Sequence, residues 1–307
     1  MIDIKLLEQL CLCNGISGDE VNVRNLIINE IKDCADDIKT DNLGNLIVFK
    51  KGKKSAKSKL MVSAHMDEVG LMVTDITSDG YLKFDEVGGI DRRVLPGKRV
   101  CVGRNGLNGV IGVKPIHLTN SDEKTAVPKM NDMYIDIGAE SREDALKYVN
   151  YGDGINFEGG FKINGKTVVT KALDDRFGCY VLINLIKSEP EYDMYFTFVV
   201  QEEVGLRGAR PAAFTVNPDF ALVIESTTAA DVAEVDASHQ VCNLSKGATV
   251  TVMDRATVYD KEMISAAFEL AEKNNIAVQY KRAVAGGNDS GAIHQSRGGV
   301  RTLAVSL

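Results

Sequence analysis

The 307-residue sequence has no tryptophan, and only 6% of its residues are aromatic. A carbohydrate cleft built on stacked rings therefore has little to be made from. There is no basic excess. The formal net charge is -7, and the acid is spread along the chain, which disfavours nucleic acid and anionic membranes as partners. No apolar run approaches the roughly 20 residues that a membrane-spanning helix needs. The opening segment, Met1-Ile2-Asp3-Ile4-Lys5-Leu6-Leu7, lacks a basic region followed by an apolar run. It does not read as a signal peptide, and a cytoplasmic location is expected. The six cysteines (Cys11, Cys13, Cys34, Cys101, Cys179 and Cys242) never form C-x-x-C, so reduced, mostly buried thiols are the simplest expectation. Cys11 and Cys13 have no second pair to complete a tetrahedral metal site. What is present is ordinary for a soluble globular protein: 44% hydrophobic and 26% charged residues. That is enough for a sizeable core in one large domain, or in a core domain with a smaller partner.

Along the chain, Leu6, Leu7 and Leu10 recur at helical spacing. Ser17-Gly18-Asp19-Glu20 has the S-x-x-E form of a capping box before the apolar face Val21, Val23, Leu26, Ile27, Ile31, so Ser17 is expected to cap that helix. Residues 43–50 and 60–64 read as strands, the second buried, separated by a lysine-rich solvated turn. From about residue 71 short strand-like runs follow one another, at 71–75, 81–84, 99–103, 109–113 and 133–137, with a short helix near 142–148. This is the pattern of a small β-barrel or sandwich. After about residue 166, helices at 174–187, 206–213, 261–274 and 290–297 alternate with strands at 195–200, 220–224, 277–280 and 300–305. Such alternation predicts an open α/β sheet flanked by helices. The expected organisation is a discontinuous α/β domain, 1–70 and 166–307, with a small β-barrel domain, 71–165, inserted into it.

Ligand-type side chains stand where apolar strands end, and sites in open α/β sheets collect at the carboxyl ends of strands. His65 closes the strand at 60–64, with Asp67 two residues on, near enough to orient its imidazole. Asp174 and Asp175 begin a helix. Glu202 and Glu203 follow a β-branched and aromatic strand, and Glu225 ends the strand at 220–224. Each has a plainer reading: an Asp that starts a helix is often an N-cap, and strand-end carboxylates are often just solvated. Together they suit zinc, cobalt or manganese, and two metals sharing a carboxylate need about this many ligands. The residues alone leave a metallohydrolase and a set of solvated carboxylates both open.

Three motifs carry a resemblance further. His65-Met66-Asp67-Glu68-Val69-Gly70, Lys171-Ala172-Leu173-Asp174-Asp175-Arg176 and Gln201-Glu202-Glu203-Val204-Gly205-Leu206-Arg207-Gly208-Ala209 stand in order, followed by Gly286-Gly287-Asn288-Asp289-Ser290-Gly291-Ala292. Together they resemble the tetrahedral, deblocking or glutamyl-type aminopeptidases, some of which carry an endoglucanase or cellulase label. The resemblance runs along nearly the whole chain and implies a zinc-exopeptidase-like fold. By it, two divalent ions are expected, zinc or cobalt first and manganese as an alternative. His65 and Glu225 would bind one metal, Glu203 the other, and Asp174 both, across a cis peptide to Asp175. Glu202 would be the general base and Asp67 would orient His65. The implied reaction removes single residues from the N-termini of small peptides through a metal-activated water.

Members of that family continue past the last strand into a segment whose histidine binds the second metal beside Glu203. This sequence reaches Val305-Ser306-Leu307 about where that segment begins. His117, His239 and His294 offer no evident replacement. The resemblance thus implies either a truncated chain or a weaker second metal, with one tightly bound ion rather than two. It also leaves a catalytically weakened homologue with a binding or scaffold role open. A glycoside hydrolase using paired carboxylates is disfavoured by the missing aromatics. By resemblance a homo-oligomer is expected, dimers assembling to a dodecamer, with the polar loop 119–129 as a contact.

Overall fold

The structure, a computed structural model, describes residues 3–307 apart from the side chains of Glu123 and Lys124. Met1 and Ile2, read above as the start of a segment without a leader, lie outside the described residues, as do those two side chains of the 119–129 loop. The chain forms two compact units, one of Met1–Cys13, Glu20–Asp67 and Ala172–Leu307, the other of Asn14–Asp19 and Glu68–Lys171.

In chain order, the first unit opens with helices α1 (Ile4–Leu12) and α2 (Val21–Ile31) and strands β1 (Asp37–Thr40), β2 (Leu46–Lys50) and β3 (Leu60–His65). The second unit follows with β4 (Gly70–Ile76), β5 (Leu82–Val87), β6 (Arg99–Val102), β7 (Leu107–Val113), α3 (Ser121–Thr125), β8 (Met133–Asp136), α4 (Arg142–Ala145) and β9 (Gly154–Phe157), then a hairpin of β10 (Lys162–Asn164) and β11 (Thr167–Val169). The first unit resumes with α5 (Leu173–Lys187), β12 (Met194–Val199), α6 (Ala209–Val216), β13 (Phe220–Glu225), β14 (Ala248–Val250), α7 (Lys261–Lys273), β15 (Val278–Tyr280), α8 (Ser290–Ile293) and β16 (Arg301–Ser306).

The first unit is built on an eight-stranded mixed sheet in the order β1-β2-β12-β3-β13-β16-β14-β15. Its centre, β12-β3-β13-β16, is parallel. A parallel strand covered on both faces reads as a near-continuous apolar run, which explains why Met61, Val62, Ser63, Ala64 and His65 of β3 are all buried. Helix α5 packs on β3 and β13 and buries Cys179, Leu182, Ile183 and Ile186, the i, i+3, i+4, i+7 stripe of an amphipathic helix. A further cluster joins Ala209, Ala213 and Val216 of α6 and Ile293 of α8 to Met61, Ala221, Val223 and Ala304 of the sheet. Because the central strands are parallel, His65, Val199 and Glu225 come to the same edge, with His65 paired to Val199 and Glu225 to Ser306.

The second unit is a closed barrel, β4-β5-β8-β7-β6-β9. Alternate residues point inward, as a small barrel requires: Leu71 and Val73 of β4, Val100 and Val102 of β6, Met133 and Ile135 of β8. The expected α/β sheet with a small β-barrel is therefore the observed fold.

Local readings differ in several places. Ser17 does not cap α2: the N-cap is Glu20, and Ile16 instead forms a parallel bridge to Glu68 within the barrel unit. The strand expected from residue 43 starts at Leu46, because the Asp41 carboxylate accepts hydrogen bonds from the backbone of Leu43, Gly44 and Asn45 and holds them in a turn. The helix expected at 206–213 is Ala209–Val216. Gly205 (φ +116°) and Leu206 (φ 57°) are left-handed, so the chain turns before it becomes helical. The helix expected at 290–297 ends at Ile293, and Arg297 (φ 50°) and Gly299 (φ +100°) turn the chain into β16. Three of the six cysteines, Cys11, Cys179 and Cys242, are buried, Cys13, Cys34 and Cys101 are half-buried, and none is in a disulfide among the described residues.

Candidate active site

The strand edge brings the sequence-selected residues of the α/β unit together. His65 is buried, with Nε2 3.2 Å from Asp174 Oδ1 and 3.5 Å from Glu225 Oε1. Its other nitrogen, Nδ1, lies 3.1 Å from the Asp67 carbonyl and 3.5 Å from Asp67 Oδ1. Two groups of ligand atoms fall within 4.8 Å of one another: His65, Asp174 and Glu225, and His65, Glu202 and Glu203. Among the described residues, His65 is the histidine in both. His117 and His239 lie in short 3-10 turns, and His294 Nδ1 is 2.7 Å from the Ser290 carbonyl.

Asp67 does more than the sequence suggests. Its two carboxylate oxygens accept the backbone N–H groups of Glu202 (3.0 Å) and Glu203 (3.1 Å). One fully buried carboxylate thus faces His65 and fixes the main chain of the glutamate pair. Asp174 and Asp175 are joined by a cis peptide. Their backbone is not helical even within α5, so Asp174 is no simple N-cap. Asp174 keeps an exposed side chain (57%), while Asp175 is buried and accepts from the His65 backbone N–H (3.4 Å) and Gly178 N–H (3.0 Å).

The electrostatics follow from many carboxylates in little space. Burial alone would lower the His65 pKa, but Glu225, Asp174 and Asp67 outweigh it and hold it well above 6.5. Burial, with repulsion from Asp289, Glu225 and Glu203, pushes Glu202 up to about 9. Burial and Asp174 raise Glu225 to about 7. Burial likewise holds Asp175 and Asp289 well above the usual carboxylate range. Concentrated acid of this kind around one imidazole is what a divalent cation neutralises, because a nearby positive charge favours the ionised forms. One nitrogen and several carboxylate oxygens suit a borderline metal such as zinc. The residues present therefore fit a metal centre.

Several supporting residues were not singled out from sequence. Asp289 is fully buried with neither carboxylate oxygen hydrogen-bonded, an arrangement that invites a cationic neighbour. It lies in the Gly286–Ala292 motif, and its signal was an acid between a glycine turn and a short helix. Asn45 accepts from Val200 N–H and donates to the Gly208 carbonyl, closing the turn that carries Glu202 and Glu203. Arg176 is fully buried and donates to the carbonyls of Met66, Leu10 and Cys13. It ties α1 and the segment after His65 to the start of α5, and nothing local in the sequence reveals that.

The chain is similar to known proteins along nearly its whole length. A sequence model of the M42 glutamyl aminopeptidase family matches residues 44–307. A putative aminopeptidase of Acetivibrio thermocellus is 43% identical, over 98% of this chain and 89% of its own length. A lysyl aminopeptidase of Pyrococcus furiosus is 33% identical, over 100% of this chain and 89% of its own. Among solved structures, the TET1 peptidase of Pyrococcus horikoshii, described as able to assemble into a tetrahedron or a large octahedral shell, superposes with a TM-score of 0.86 at 40% identity, covering 99% of this chain and 90% of that one.

Proposed function

The chain belongs to the M42 glutamyl aminopeptidase family and is an aminopeptidase of the hydrolase class, and from that premise we propose that it removes single residues from the N-termini of peptides at the His65–Asp174–Glu202–Glu203–Glu225 cluster. The observation that carries this reading is one buried imidazole inside two overlapping groups of carboxylate ligands at the strand edge. In the proposed assignment His65, Asp174 and Glu225 would hold one divalent ion, and Asp174 and Glu203 would hold a second. Zinc or cobalt suits these donors, and manganese also accepts them. When bound, such ions polarise the scissile carbonyl and lower the pKa of the attacking water.

The chain's own residues supply the rest. Glu202 accepts a proton from the water at its carboxylate as the oxygen adds to the carbonyl carbon. It returns that proton to the amine nitrogen as the C–N bond breaks. Asp67 holds Glu202 and Glu203 in place through their backbone N–H groups and faces Nδ1 of His65. Peptides enter with a free amine, and the carboxylates at the cluster provide a counter-charge for it. The relatives' names span glutamyl and lysyl specificity, so the family leaves the preferred residue open. We place the enzyme in the cytoplasm and as a homo-oligomer of the kind the TET1 peptidase forms.

The test is hydrolysis of a panel of aminoacyl p-nitroanilides by chelator-stripped protein, then with added zinc, cobalt or manganese. Turnover is expected only with metal. Glu202→Gln is expected to lower kcat about 10²–10⁴-fold, the usual worth of a general base, while still binding zinc. Silence at every metal concentration would favour a weakened homologue with a scaffold role, and turnover that survives chelation would overturn the metal reading.

A further inference from the structure

Two charged residues of the motifs around the cluster have no part in the assignment above: Glu68 in the His65–Gly70 motif, and Lys171, which opens the Lys171–Arg176 motif. Both belong to the barrel unit and stand at its ends, where the chain passes to Asp67 and to Ala172 of the α/β unit. Lys171 and Glu68 form a buried ion pair, their side chains 12% and 6% exposed. The ammonium donates to both Glu68 oxygens, at 2.7 and 3.0 Å, and to Asn14 Oδ1 at 3.3 Å. Glu68 is a fixed point for it. The Glu68 N–H donates to the Gly15 carbonyl (3.0 Å), and its carbonyl accepts from Ser17 N–H (3.3 Å). Taking two charges out of water costs about as much as their attraction returns. The place of the pair in the chain is therefore more informative than its strength. Lys171 to Glu68 is one rung between two segments, and Arg176 to the Met66 carbonyl (2.7 Å) is another. Met66 and Glu68 flank Asp67, while Lys171 and Arg176 bracket Asp174 and Asp175. The carboxylate that carries the glutamate pair and the carboxylate proposed to bridge the ions thus lie between the same two rungs.

We propose that Lys171 is a positioning residue for the metal cluster: through Glu68 it sets where Asp67 and Asp174 stand about His65. The inference rests on the metal-dependent reading above. Only Ala172 and Leu173 separate Lys171 from Asp174. Ala172 is left-handed (φ 51°), and Asp174 and Asp175 are outside helical geometry. No regular helix therefore holds Asp174 in place, and its position depends on what anchors the chain on either side. Arg176 anchors the far side and Lys171 the near side. Removing the near anchor lets Asp174 shift against His65 Nε2, now 3.2 Å away, and lets Glu68 pull on the neighbouring Asp67. A displacement of about 1 Å at reacting groups is worth about 10²-fold in rate.

The experiment compares wild type with Lys171→Met, Lys171→Arg, Glu68→Gln and the double variant Lys171→Met, Glu68→Leu. Zinc affinity is measured by competition with a chromogenic chelator, and the visible spectrum is recorded with cobalt, whose bands report the geometry about the ion. Tm, kcat and KM complete the set. Lys171→Met is expected to bind zinc about 10–100-fold more weakly, as loss of a ligand-orienting neighbour does. Its cobalt bands should shift, and kcat should fall about 10²-fold with KM little changed. Lys171→Arg can reach the same carboxylate with two N–H groups and is expected to recover part of each. The double variant leaves neither charge buried without a partner. Its Tm is expected to return toward wild type while zinc affinity and kcat stay low. That pattern separates positioning from stability, and with Glu68→Gln it carries the test if Lys171→Met does not fold. Wild-type zinc affinity and cobalt spectrum in Lys171→Met or in the folded double variant overturn the inference and leave the metal reading intact. A wild type that binds no zinc overturns the metal reading, and the positioning role falls with it.

Discussion

At the scale of single residues, the site is a contest between burial and repulsion that a cation would resolve. His65 is held well above its ordinary pKa, Glu202 stands near 9 and Glu225 near 7, so the metal-free chain retains protons there at neutral pH. A divalent ion favours the deprotonated forms, and its binding must release those protons. Titrating zinc at pH 7 in buffers of different ionisation enthalpy is expected to show net proton release that shrinks above pH 9. Absence of release would contradict the arrangement. The same shifts set a sign for stability. A group whose folded pKa lies above its unfolded value stabilises the fold fully below the unfolded value and loses that contribution as pH rises through the folded one. For Glu202 that window runs from about 4.5 to about 9. The metal-free Tm should therefore fall from pH 5 to pH 9, and zinc should flatten the decline. Asp67 gives a second residue-level prediction. An asparagine offers one oxygen where two N–H groups now bond to two, so Asp67→Asn leaves one of them without its acceptor. The expected cost is about 1–3 kcal/mol of stability and about 10–100-fold in zinc affinity, typical of a ligand-orienting neighbour. Thermal melts and competition with a chromogenic chelator measure the two. Unchanged zinc affinity would remove Asp67 from the supporting role.

At the scale of elements, the segment between β12 and α6 is the most constrained part of the site. Gly208 donates to the Val200 carbonyl and its own carbonyl accepts from Asn45, so the turn bearing Glu202 and Glu203 folds back tightly onto the strand end. A Cβ on Gly208 would collide with the Asn45 carboxamide and with the backbone of Val200, neither of which can retreat without opening the turn. Gly208→Ala is expected to lose about 1–3 kcal/mol, as overpacking does, and to lose activity beyond what the melt explains, since the glutamates move with the turn. A variant with wild-type Tm and kcat/KM would show the turn to be tolerant. This segment also marks what the sequence could reveal. The strands β3, β12 and β13 were legible because buried parallel strands are apolar runs, and His65, Glu202, Glu203 and Glu225 stood out because each breaks such a run at its end. The start of α6 was misread because left-handed Leu206 has no local signature. Ser17 fitted a capping box, but the helix begins at Val21 and the residue beside it bridges to Glu68 in the barrel unit, a contact fifty residues away that no short motif contains. Asn45 and Arg176 escaped notice for the same reason. Their partners are distant carbonyls, brought near only once the sheet has formed.

At the scale of the whole molecule, the barrel unit exposes several large apolar side chains. Ile116 is 72% exposed, Leu118 61% and Val127 53%, all within twelve residues around the loop expected to make subunit contacts. Single exposed apolar residues are common, and a contiguous patch of them is what marks an interaction site. If the homo-oligomer proposed above forms, a second copy of the chain would cover them. A closed homo-oligomer buries the same patch in every subunit, so disruption should be all-or-none rather than graded. A dodecamer would weigh about 400 kDa and a dimer about 67 kDa, well separated by light scattering. The double variant Ile116→Asp, Leu118→Asp places charge in that patch without touching the strands of the barrel. It is expected to convert the large species to a smaller one while the far-ultraviolet spectrum stays native. A wild-type mass of a single chain would refute the oligomer outright, and a large species that survives both aspartates would place the contact elsewhere on the surface.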